Sequence, residues 1–241
     1  MSGENPIPES EIRTDLKSRP AELERPLAEL SRAEKEALWK KTATVVDQVI
    51  DAEKEPIDRG IKETVIALNV HNINTSGSCE GHINHGTGTP WVQIEAPGEP
   101  EERYIGQNDA IQKIAEKHSL NFDDVKRGID EKAHEEASDI YSNNGETSDF
   151  TKWREQNRIM KQRVAELLGE FYQDREVSPD VHLMLDDYDD DSFRLNTGSD
   201  KKPINEQPDD NQRRELTQRL QRDQVEMTAF TEFLKKKYFG E

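Results

Sequence analysis

Cys79 is the chain's single cysteine, and His71, His82 and His85 stand within the same fifteen residues, 71–85. Thiolate sulfur and imidazole nitrogen are ligands that zinc accepts in a tetrahedral shell, and a turn can bring side chains three positions apart onto one ion. The string Cys79-x-x-His82-x-x-His85 therefore spells a three-ligand metal site with an open, catalytic position. Addition of His71 would close that site as a structural one. The same residues permit covalent chemistry. An imidazole from His82 or His71 can lower the pKa of Cys79 and generate a nucleophilic thiolate, although a charged Glu80 beside it opposes this. The plain alternatives are a cysteine packed as a small hydrophobe and loop histidines bonded to backbone.

The backbone around Cys79 offers a different chemistry. Thr75, Ser76, Gly77, Ser78, Cys79 and Gly81 make a small, flexible run in which glycine permits positive φ, so successive N–H groups can converge on an anion, with the serine hydroxyls as further donors. Neither a G-x-x-x-x-G-K-[ST] phosphate loop nor a dinucleotide fingerprint is present. A phosphate, carboxylate or nucleotide is the ligand class this reading implies.

The flanking elements must position that segment. Ser31 and Glu34 form an S-x-x-E capping box ahead of an apolar stripe of Leu38, Val45, Val46, Val49 and Ile50, a helix expected to run to Pro56. Ile57, Ile61, Val65 and Leu68 continue at helical spacing. The Gly-, Ser-, Thr- and Asn-rich run 71–90 reads as loop, and WVQIEA from Trp91 as a strand. Helices are expected over 108–118, over 122–141 with Asn121 as cap and Phe122, Val125, Ile129, Ala133, Ala137 and Ile140 on one face, and over 149–173. Residues 181–185 and 192–196 alternate as strands, with Asp186, Asp187, Asp189, Asp190 and Asp191 at the hairpin turn between them. That acidic cluster lacks the glycine and closing glutamate of a calcium loop and reads as a solvated tip. The last helix, about 210–238, carries Leu216, Leu220, Met227, Phe230 and Leu234 at near-heptad spacing. It either packs back on the chain or meets a protein partner or a second copy.

Composition bounds the rest. The chain has 241 residues, a net charge of −18 and only 32% hydrophobic residues, which argues against general nucleic-acid or anionic-membrane binding and predicts a modest core. No run of apolar residues is long enough to span a membrane, the N-terminal residues lack a signal-peptide pattern, and one cysteine suits a reducing compartment, so a cytoplasmic location is expected.

A helix, then T-S-G-S-C-E-G-H-I, then a strand is similar to a segment of the wybutosine-synthesis methyltransferase family, which carries T-S-S-C-S-G-R-I after a helix. The similarity spans roughly residues 43–95, and His82 stands where that family has arginine. It implies S-adenosylmethionine-dependent methyl transfer, with Ser76, Ser78 and Cys79 near the substrate or cofactor pocket. The T-x-G-S-C-x-G-H string also resembles a set of bacterial and phage proteins, a resemblance that implies no activity.

The expectation is an α+β fold of five or six helices around a small antiparallel sheet of about three strands. Its parts are a disordered acidic arm (1–30), a core domain (31–198), a polar linker (199–209) and a C-terminal amphipathic helix (210–241). The expected function is binding of a small anionic ligand or metal at the 71–91 helix–loop–strand segment. Cys79 and His82 are the catalytic candidates, and zinc and S-adenosylmethionine the candidate cofactors. The alternatives are an interaction or regulatory protein without a catalytic site, and a methyltransferase-like enzyme.

Overall fold

The computed structural model describes residues 26–50, 54–84, 88–188, 191–198 and 209–241. Residues 1–25 of the expected arm, 199–208 of the expected linker, His85, Asp189 and Asp190 lie outside the described residues. In chain order the elements are α1 (Arg32–Val46), α2 (Arg59–Val70), β1 (Thr75–Cys79), β2 (Trp91–Ile94), α3 (Gln107–His118), α4 (Phe122–Lys126), α5 (Glu131–Tyr141), α6 (Ser148–Tyr172), β3 (Leu183–Asp187), β4 (Phe193–Thr197) and α7 (Asp210–Phe239). The architecture is α+β, with the strands in one antiparallel sheet of order β1-β2-β4-β3. No helix among the described residues is long and apolar enough to cross a membrane.

The chain divides into two compact units, Met1–Pro97 with Asn157–Glu241, and Gly98–Gln156. In the first, the sheet presents one apolar face: Val92 and Ile94 of β2 pair with Leu195 and Phe193 of β4, and all four are buried. Ile61, Val65 and Leu68 of α2 and Met227, Phe230 and Leu234 of α7 are buried in the same unit. Two polar links pin α2 to α7: the Thr64 and Thr231 hydroxyls meet at 2.7 Å, and His71 Nε2 lies 2.9 Å from the Leu234 carbonyl oxygen. The apolar stripe of α7 from Met227 onward is thus used within its own chain. In the second unit, Ala110, Ile111, Ile114 and Ala115 of α3 pack with Val125, Ala133, Ala137 and Tyr141 of α4 and α5.

Several elements depart from the sequence reading. The capping box is formed, with Glu34 N–H donating to Ser31 Oγ and Ser31 N–H to Glu34 Oε2, but α1 stops at Val46 and leaves Val45 and Ile50 exposed. The helix expected over 122–141 is two helices. Gly128 at φ +69° turns the chain, and the Asp130 side chain then caps α5 by accepting from Ala133 N–H. This break throws Ile129 into solvent, and Ile140 is also exposed, so neither joins the expected face. Asn121 precedes α4 without capping it through its side chain. The third strand lies at 183–187 rather than 181–185, so Asp186 and Asp187 belong to a strand and not to the turn.

The departure that matters most concerns 71–91. Thr75–Cys79 is not loop but the edge strand β1, paired with β2 through Thr75–Ile94, Gly77–Gln93, Ser78–Val92 and Cys79–Trp91, with an irregularity between Thr75 and Gly77. The segment is therefore a helix followed by a β-hairpin. Gly77 admits its partner strand's largest side chain: a Cβ there would stand 3.3 Å from Trp91 Cζ3.

Candidate metal centre

The end of β1 and the start of α2 meet at three potential ligands. β1 carries the chain to Cys79, and Gly81 at φ +84° then reverses it, a conformation that glycine adopts without steric cost. A Cβ on Gly81 would stand 2.8 Å from the Thr89 carbonyl carbon and 3.0 Å from Pro90 N, so the turn also sits tightly on backbone. The reversal aims the Gly81 N–H at Cys79 Sγ, 3.3 Å away. It also returns His82 towards Asp58, the residue before α2, with Nε2 3.3 Å from Asp58 Oδ2. The ligand atoms of Asp58, Cys79 and His82 all lie within 4.8 Å of one another, and each residue is half-buried. It is the one such group of three or more among the described residues.

The arrangement suits a dication. A thiolate, a carboxylate and a neutral imidazole bring two negative charges to a partly desolvated spot, where an opposing charge is attracted more strongly than in bulk water. Ligand atoms around tetrahedral zinc stand roughly 3.3–3.8 Å apart, given metal–ligand bonds of about 2.0–2.3 Å. The Asp58 Oδ2 to His82 Nε2 separation of 3.3 Å already falls at that spacing. Three protein ligands leave a fourth position open to water or a small anion.

Alternation along the paired strands decides what adjoins this group. Cys79 faces the same side of the sheet as Trp91, and Gln93 the same side as Arg194, opposite to the apolar face of Val92, Ile94, Phe193 and Leu195. The Arg194 guanidinium lies between two rings, 3.9 Å from the centre of Trp91 and 3.5 Å from that of Tyr188. Trp91 is buried, walled by this stack and floored by Gly77.

Of the residues singled out by sequence, the structure joins Cys79 and His82. His71 goes elsewhere: it caps the C-terminus of α2, is 4% exposed, and lies edge-on to Tyr238 with ring centres 5.7 Å apart. Burial holds its imidazole below the ordinary histidine range. It borders a separate cleft of about 360 Å³ shared with Arg163, Glu166, Glu170 and Lys237. The converging backbone N–H groups expected of 75–81 are replaced by an extended strand, in which successive N–H groups point in opposite directions. Thr75 is buried and accepts from Asn69 Nδ2 at 3.0 Å, while Ser78 pairs with Val92. The acidic run does not form a cluster among the described residues: Asp186 accepts from Asn196 Nδ2 at 3.2 Å, and Asp187 pairs with Lys161.

Asp58 escapes sequence reasoning. One carboxylate among 51 acidic residues carries no signal of its own, and it stands 24 positions before His82. In sequence it stands inside the stripe of Ile57, Ile61, Val65 and Leu68, where an acidic residue reads as the solvated face of a helix. No protein-family model matches the chain, and no curated protein or solved structure matches it.

Proposed function

We propose that this protein holds a divalent metal ion, zinc by ligand preference, on Asp58, Cys79 and His82, with the remaining coordination position available to water or a small anionic ligand. The observation that carries the reading is the convergence of those three ligand atoms within 4.8 Å on a turn whose glycine N–H points at the sulfur. A thiolate–imidazole–carboxylate set matches zinc's preference for sulfur and nitrogen supplemented by oxygen. Bound there, the ion would polarise a water or an anionic oxygen. The chain's own part is to supply two negative charges and to fix Asp58, whose Oδ2 accepts from Glu80 N–H at 3.0 Å.

Elemental analysis of the purified full chain, together with cobalt(II) titration, tests this. The expected result is close to one equivalent of zinc, and a sulfur-to-cobalt charge-transfer band that Cys79→Ser abolishes and that His82→Ala and Asp58→Asn weaken. No retained zinc and no cobalt band would overturn the reading. A metal-free protein whose Cys79 alkylates faster than free cysteine would favour instead a nucleophile served by His82 and oriented by Asp58.

A further inference from the structure

Asp58 occupies the N-cap of α2, where an aspartate side chain ordinarily accepts a hydrogen bond from one of the first free N–H groups of its own helix. Here it makes no such bond. The N–H of Gly60, in the first turn of α2, is taken by Glu80 Oε2 at 2.6 Å. Asp58 Oδ2 in turn accepts from the backbone N–H of Glu80 at 3.0 Å and stands 3.3 Å from His82 Nε2. The two acidic residues have exchanged duties. The relation is like a capping box, with the difference that Asp58 serves the backbone of Glu80 while Glu80 serves that of Gly60, and Asp58 and Glu80 stand 22 positions apart.

Two further features are shaped to this exchange. A Cβ on residue 60 would stand 2.6 Å from Glu80 Oε2, so the carboxylate reaches the helix because the residue there is glycine. Gln224 of α7 donates to the Glu80 carbonyl at 2.9 Å and fixes the backbone from the other side. The arrangement also answers the electrostatic objection to a glutamate beside Cys79. Its carboxylate is drawn onto the positive N-terminus of α2, where a negative charge is favoured.

We infer that Glu80 is a positioning residue of the metal centre: by capping α2 in place of Asp58, it releases the Asp58 carboxylate to face Cys79 and His82. Without Glu80, Asp58 turns back to cap its own helix and the centre keeps two protein ligands. The inference rests on the metal reading above.

The test is zinc and cobalt(II) affinity of the full chain, measured by competition with a chromophoric chelator for the wild type, Glu80→Gln, Glu80→Ala, Asp58→Asn and the double variant Asp58→Asn/Glu80→Ala. Loss of a residue that orients a ligand weakens metal binding by about 10–100-fold, the loss expected of Glu80→Ala. Glu80→Gln keeps an acceptor oxygen for Gly60 N–H and should retain most of the affinity. If Glu80 acts through Asp58, the double variant binds no more weakly than Asp58→Asn alone. Gly60→Ala supplies an independent arm: alanine favours the helix but displaces the Glu80 carboxylate, so thermal stability is kept or raised while affinity falls. Wild-type affinity in Glu80→Ala, or losses that multiply in the double variant, would overturn the inference while leaving the metal centre standing. A wild type that binds neither zinc nor cobalt would overturn both.

Discussion

Replacing Gly81 by alanine should be among the more damaging small changes in this chain, for two separable reasons. The first is conformational. Gly81 sits at φ +84°, where an L-residue's Cβ crowds the following carbonyl, at a cost of about 1–2 kcal/mol. The second is spatial. The new methyl would lie 2.6 Å from Leu220 Cδ1, 2.8 Å from the Thr89 carbonyl carbon and 3.0 Å from Pro90 N. The leucine tip can rotate away, but two backbone atoms just ahead of β2 cannot without disturbing the Cys79–Trp91 pairing. Overpacking of this kind costs about 1–3 kcal/mol, so the total is about 2–5 kcal/mol. In a chain of this length that lowers Tm by roughly 4–20 °C. Gly240→Ala isolates the first cost, because Gly240 has φ +77° with nothing within 4 Å of its would-be Cβ, and should lose only about 1–2 kcal/mol. Urea unfolding followed by circular dichroism gives both values. If Gly81→Ala comes within about 0.5 kcal/mol of Gly240→Ala, the tight seating of the turn on Thr89 and Pro90 is wrong, because overpacking should add at least about 1 kcal/mol.

Two further outcomes follow from the same unit. Phe230→Ala, at a fully buried side chain in edge-to-face contact with Phe171, should cost about 3–5 kcal/mol in urea unfolding, and a loss below about 1 kcal/mol would contradict the packing of α7 into the core. Burial, the largest influence on His71, depresses its pKa below the ordinary 6.5, so the folded ring stays neutral while the unfolded chain takes up a proton as pH falls through that value. Stability should therefore decline below about pH 6.5 and do so less in His71→Gln, as read from urea midpoints at about pH 7.5 and about pH 5.5; equal declines would refute it.

Periodicity made α2 legible because its buried face is continuous, and failed over 122–141, where Gly128 breaks the helix. Ile61, Val65 and Leu68 needed no information beyond their own spacing. The strands were readable where apolar residues alternate: the phase of Leu183 and Leu185 is right, since Leu185 pairs with Leu195 on the core side. The bounds slipped because β3 is an edge strand, which tolerates outward charges such as Asp186 and Asp187 that look like turn residues in sequence. His182, expected inside that strand, instead stacks on Tyr172 with ring centres 3.7 Å apart. β1 was illegible for a deeper reason. Thr-Ser-Gly-Ser-Cys has almost no strand propensity, and what makes it a strand is pairing with β2 and burial of Thr75, both supplied from elsewhere in the chain.

The candidate centre divides along the same line. Cys79 and His82 share one turn, and a spacing of three with a glycine between them is a local fact that sequence can display. Asp58 reaches them through the path of α2, across the connection to β1 and back along that strand, so its proximity is a property of the fold. The sequence reading places Asp58 inside the helical stripe that opens at Ile57 and counts Glu80 only as a charge unfavourable to a thiolate. The hydrogen bonds give both residues other parts: Glu80 Oε2 serves Gly60 N–H, and Asp58 Oδ2 faces His82. A local rule that fails at one residue and is fulfilled by a distant one is how a helix terminus can hold its stability while giving up its own cap. Such an exchange makes sense where the released carboxylate has other work, and at this position that work is a third ligand beside a thiol and an imidazole.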